Sequence, residues 1–121
     1  MKNKLVQLPK NVVEPVYELY TLGDYREAIK QIKKINEKYP NQPLLFNLIG
    51  ACYKEIGNLE GAVKVFKNAI LLEPSYAEAY FNLGAALQAL GQNDEAIESY
   101  QRAISIRPII QMHIIISGIF Y

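Results

Sequence analysis

At 121 residues, half of them hydrophobic and 21% charged, the chain has the size of one small domain with a modest core. A net charge of +1 supplies no bulk field toward nucleic acid or an anionic membrane, and a lone cysteine, Cys52, excludes a disulfide framework. Residues 1–40 hold eight Lys/Arg against five Asp/Glu. The excess lies mainly on Arg26, Lys30, Lys33, Lys34 and Lys38 of one expected helix, which reads as a solvated outer face.

Residues 1–8 form a leader whose lysines lack the apolar run that a secretion signal needs, so a cytoplasmic chain is expected. From there the sequence repeats. Gly23, Gly57 and Gly91 stand 34 residues apart, as do Ala28, Ala62 and Ala96, and again Pro40, Pro74 and Pro108. A period of 34 is that of a helix–turn–helix array. The expected fold is all-α, antiparallel helix–turn–helix repeats stacked as a right-handed α-solenoid, with units 9–42, 43–76 and 77–110. Helices are expected near 12–22, 25–38, 43–56, 59–72, 77–90 and 93–106.

Unit one is degenerate: Pro15 and Val16 stand where later units have Ile49-Gly50 and Leu83-Gly84, so its first helix is expected to begin late, near Pro15, or to be kinked. Its second helix starts at a capping box of Asp24 with Glu27 and buries Ala28, Ile32 and Ile35. In unit two Pro43 suits a first helical turn, and Phe46, Ile49, Gly50 and Tyr53 face inward. Cys52 falls at a small buried position, as an inert packing thiol. Asn58 caps the next helix, which buries Ala62, Phe66, Ala69 and Ile70. Unit three opens on a second capping box, Ser75 with Glu78, and buries Tyr80, Leu83, Gly84 and Leu87. After a cap at Asn93, it buries Ala96, Tyr100, Ala103 and Ile104. Gly50 and Gly84 are expected to meet Ala62 and Ala96 where paired helices cross. Gly23, Gly57 and Gly91 end the first helices, and the three prolines stop the second ones.

This arrangement resembles the tetratricopeptide repeat: an aromatic (Phe46, Tyr80), then Ile49-Gly50 or Leu83-Gly84, then Tyr53, Ala62, Phe66, Ala69 and Pro74. In that family the first helices line a concave groove that receives a peptide or partner helix. The resemblance places Tyr17, Tyr20, Asn47, Ala51, Lys54, Glu55, Glu78, Phe81, Asn82, Ala85 and Gln88 in the groove. Tyr17 and Phe81 either give contact area there or pack locally. Members that bind acidic chaperone C-termini use lysine, arginine and asparagine where this chain has Val13, Tyr17, Leu48, Glu78 and Asn82, none of which matches. Asn82 falls at the asparagine-ladder position of O-linked N-acetylglucosamine transferase repeats, but Leu48 breaks the ladder.

Nothing in the sequence assembles an active site, a metal site or a cofactor site. There is one histidine and no phosphate loop, and Asp94, Glu95 and Glu98 read as a solvated helix start. The last 13 residues, 109–121, include six isoleucines in no helical or strand period, too short a run to span a membrane. This tail reads as a short capping helix, a membrane-touching tail, an aggregation-prone strand, or the product of a frameshift. Codons for Asp-Tyr-Ser-Asp-Ala-Tyr-Tyr-Asn-Leu-Gly-Asn-Ile-Leu, read one base later, can yield the tail, as if a fourth repeat of a longer array had been cut short. The leading functional reading is a non-enzymatic module that binds a protein or peptide. A second is the N-terminal adaptor of a larger glycosyltransferase or sulfotransferase, and a third is a fragment that self-associates through its tail.

Overall fold

Three glycines set the geometry. Gly23, Gly57 and Gly91 have φ of 80°, 88° and 82°, a left-handed conformation that side chains oppose. At each, the glycine amide donates to the carbonyl three residues back and the next amide to the one five back: Gly57 to Lys54 and Asn58 to Tyr53, with the same pairs around Gly23 and Gly91. These bonds close the carbonyl end of one helix and reverse the chain within three residues.

The computed structural model describes residues 7–108, so the tail 109–121 and any reading of it lie outside the described residues. Six helices follow in order: α1 (Lys10–Thr21), α2 (Tyr25–Lys38), α3 (Pro43–Glu55), α4 (Leu59–Leu72), α5 (Ala77–Ala89) and α6 (Asn93–Ile106). The second helices end at Lys38, Leu72 and Ile106, two residues before Pro40, Pro74 and Pro108. Each helix packs on the next, and α3 also packs on α5, giving the all-α helical-repeat stack read from the period.

Of the two alternatives for unit one, a late start or a kink, the late start fails. Its first helix does not begin near Pro15; it starts at Lys10, behind Pro9, and carries Pro15 inside it. The register of Val13 and Val16, 3% and 1% exposed, holds the chain helical on both sides of the proline. Only one of the expected caps forms. The Asn58 side chain accepts from the Gly61 amide at 3.0 Å. At Asp24 and Tyr76 no side chain caps the helix, and the cap of α6 is Gln92 rather than Asn93, again without a side-chain bond. Glu27 accepts from Gln31 instead, and Glu78 pairs with Arg107. Beside the bonded cap stands Gly61, where a Cβ would lie 2.5 Å from the Asn58 amide nitrogen as it is now placed. Its counterparts in the other units are Glu27 and Glu95.

The helix crossings differ in detail from the expected glycine–alanine contact. A Cβ on Gly50 would lie 2.4 Å from the Phe66 ring, and one on Gly84 would lie 2.9 Å from the Tyr100 ring and 3.2 Å from the Ala96 carbonyl oxygen. The glycines therefore make room for a buried ring four residues beyond each alanine. Val16 occupies the same place in unit one because the counterpart of those rings is the smaller Ile32, and both lie in one buried cluster.

Gly50→Ala is expected to lower stability by about 1 kcal/mol net, because overpacking costs roughly 1–3 kcal/mol and alanine's helix preference returns about 1 kcal/mol. Gly84→Ala should lose less, as its ring is further away. Urea midpoints check both, and an unchanged midpoint for Gly50→Ala would mean that the Phe66 ring yields freely. By the same measurement Asn58→Ala should cost about 1 kcal/mol and Asp24→Ala much less, since only Asn58 makes the capping bond.

Candidate functional site

The first helices α1, α3 and α5 lie side by side and carry every residue that the register assigned to the groove. Several meet. Asn82 Nδ2 donates to Asn47 Oδ1 at 3.0 Å, linking α5 to α3, and the Tyr20 hydroxyl reaches Glu55 Oε2 at 3.4 Å, linking α1 to α3. Tyr20 is further fixed by an edge-on contact with the Tyr25 ring, centroids 5.3 Å apart. Ala51, Ala85 and Lys54 are half-buried on the same helices, so the two alanines leave space between the polar pairs.

Others are engaged elsewhere. The half-buried Phe81 ring lies 5.6 Å from Tyr100 of α6, so it packs locally. Gln88 accepts a hydrogen bond from the Tyr100 hydroxyl at 2.8 Å. Glu78 is held by Arg107 at the far end of α6. Tyr17, by contrast, is 45% exposed and offers its ring to solvent.

Register reasoning missed Tyr76, which closes unit two and sits outside the first helices. It is half-buried and lies within electrostatic reach of the Asn47 side chain and of Tyr17, so it extends the line of the Asn47–Asn82 pair. The available signal was the matching last position of unit one, where Gln42 is likewise a large polar residue, 8% exposed. Two open clefts flank this line and share the wall of Leu8 and Leu44: one of about 680 Å³ reaching Val13 and Tyr17, the other about 550 Å³ reaching Tyr76.

The electrostatics keep the polar hydroxyls neutral. Burial, then the Glu55 carboxylate, pushes the Tyr20 phenol up to about 12. Burial also raises Tyr76 to about 12 against the opposing Asn47 hydrogen bond, with Glu78, Tyr17 and Glu73 adding to the rise. Burial and Glu55 push the Cys52 thiol up to about 11, which keeps it protonated and a poor nucleophile. Among the described residues no three His, Cys, Asp or Glu side chains gather as a metal site would require, and no helix is long and apolar enough to cross a membrane.

Comparison with known proteins matches residues 50–91 to a family described as TPR repeat and residues 77–108 to one described as tetratricopeptide repeat. The chain is 35% identical over 85 residues to small glutamine-rich tetratricopeptide repeat-containing protein 2 of Mycosarcoma maydis, covering 70% of this chain and 24% of that protein. It is 36% identical over 88 residues to a probable UDP-N-acetylglucosamine–peptide N-acetylglucosaminyltransferase of Arabidopsis thaliana, covering 73% and 9%. Among solved structures, the first TPR of Spaghetti (RPAP3) bound to the HSP90 peptide SRMEEVD superposes with a TM-score of 0.77 at 29% identity, covering 80% of this chain and 77% of that one. The chain thus spans about a quarter or less of the length of these curated relatives.

The raised groups give stability an alkaline limit. Their folded values exceed the ordinary 10.0 for tyrosine and 9.0 for cysteine, so their contribution is complete below those values. It is lost as pH climbs through about 11 for Cys52 and about 12 for the two tyrosines. Urea midpoints are therefore expected to fall from about pH 9 upward, with Tyr76→Phe losing less over that range than the parent chain. Parallel profiles for the two proteins would contradict the role of Tyr76.

Proposed function

Because the chain belongs to the tetratricopeptide repeat family, we propose that it is a protein-interaction module that seats a segment of a partner protein along the face made by α1, α3 and α5. The observation that supports this reading is the Asn82–Asn47 hydrogen bond between neighbouring first helices, with Tyr76 and the open cleft at Tyr17 and Leu44 beside it. Amide side chains so placed orient a peptide backbone, while the exposed tyrosine ring gives contact area at low entropic cost. The binding needs no chemistry and uses no cofactor.

The similar structure is described as binding an HSP90 peptide rich in acidic residues. Here the matching positions carry no cation: Val13 and Leu48 are buried, and Glu78 is occupied by Arg107. The partner segment of this chain is accordingly one without a dense acidic terminus. The adaptor reading is not favoured, since the similar proteins include several described by their repeats or as chaperone organizers, and a similar structure is described as bound to a peptide.

Peptides selected from a random display library against the full chain test the proposal. Binders are expected to lose at least about tenfold in affinity on Tyr17→Ala and on Asn82→Ala, the loss of a buried contact of 1.4 kcal/mol or more. Binders indifferent to both substitutions would place recognition elsewhere on the molecule.

A further inference from the structure

Phe46 of α3 and Tyr80 of α5 are counterparts one period apart, but their surroundings differ. Over Tyr80 the space is closed. The Arg102 guanidinium lies 5.4 Å above the ring and bonds its hydroxyl at 3.3 Å, and Ile70 packs against the same cluster. Around Phe46 both closing side chains are replaced, since the counterpart of Arg102 is Asn68 and that of Ile70 is Asn36. The result is a slot of about 120 Å³ between α2, α3 and α4. Phe46, Ile49 and Ile32 form its floor, Val65 stands on the α4 side, and Lys33 and Asn36 stand on the α2 side. No residue assigned to the groove belongs to it.

An apolar space of this size suits one branched aliphatic side chain, a cavity of about 150 Å³ being enough for benzene. Its rim is cationic. Lys33 lines the opening, and Arg26, Lys30 and Lys34 are exposed on the same helix; Glu37 is the one exposed carboxylate there, and Glu27 is engaged by Gln31. Among the described residues none of Lys30, Lys33 and Lys34 has an ion-pair partner. A lysine in that place lays its aliphatic stem against an apolar wall and leaves its ammonium for an anion.

We propose that this slot is a second docking site, which takes a leucine or isoleucine side chain carried in an acidic segment of a protein partner. Shape selects the apolar side chain and the unpaired lysines select its acidic neighbours. The site is independent of the groove and stands whether or not the groove reading holds.

The test titrates the isotope-labelled full chain with the peptide Glu-Asp-Glu-Leu-Asp-Glu-Asp and follows backbone amide signals by NMR. Signals of Phe46, Ile49 and Val65 are expected to move, and the affinity should exceed that of the same peptide with alanine for leucine by at least about tenfold. Added salt should weaken binding. The double variant Asn36→Ile/Asn68→Arg, which installs the side chains that close the Tyr80 site, should erase the leucine preference, whereas Tyr17→Ala should leave it intact. Equal binding of the alanine peptide, movement confined to α1 and α5, persistence of the preference in the closed variant, or no movement at millimolar peptide would each overturn the proposal. If the double variant does not fold, the comparison of leucine and alanine peptides decides alone.

Discussion

A buried ring lying against a residue with no side chain is the contact on which the stack depends. Phe66 and Tyr100 are 0% and 2% exposed, and each fills the place where a first-helix side chain would otherwise stand. The ring fixes how closely two helices approach, and that approach fixes where the next pair begins. Unit one divides the volume differently, Val16 against Ile32, and its two helices meet less closely than the pairs of units two and three.

The fold was largely legible because a repeated core repeats its constraints. Glycines that must take positive φ, prolines that must end helices and alanines at crossings recur at one spacing, and the observed helices lie within about two residues of those read from the period. Pro15 does not delay the start of its helix, for a physical reason. Its missing amide weakens the helix locally, but Val13 and Val16 on either side are anchored in the core, and packing outweighs the local preference. Caps are less legible, since the capping residue alone does not decide whether its side chain turns to the helix amide: Asn58 makes the bond and Asp24 does not.

The candidate groove was legible as a face but not as a network. Period alone shows which side chains share a surface; it does not show which of them are already bonded to one another. Phe81 and Gln88 turn out to serve Tyr100, whereas Asn47 and Asn82 bond across adjacent helices, which leaves Tyr17 as the exposed aromatic on that face. Tyr76 escaped notice because it belongs to the link between units, where sequence comparison puts little weight on side chains. It stands beside Asn47, where that link meets the face.

The interior is divided out of phase with the sequence. One buried cluster draws on α1, α2 and α3, with Leu45, Leu48, Ile49 and Cys52 as its α3 members; the other begins with Ala62 and Phe66 of α4 and runs through α5 and α6. The boundary thus falls inside unit two, between helices that the sequence treats as one pair, and Tyr53 packs against both sides of it. Unit two cut from the chain would carry part of each core and the whole of neither. Cooperativity therefore reaches across the unit boundaries, through side chains such as Tyr53 that serve both clusters.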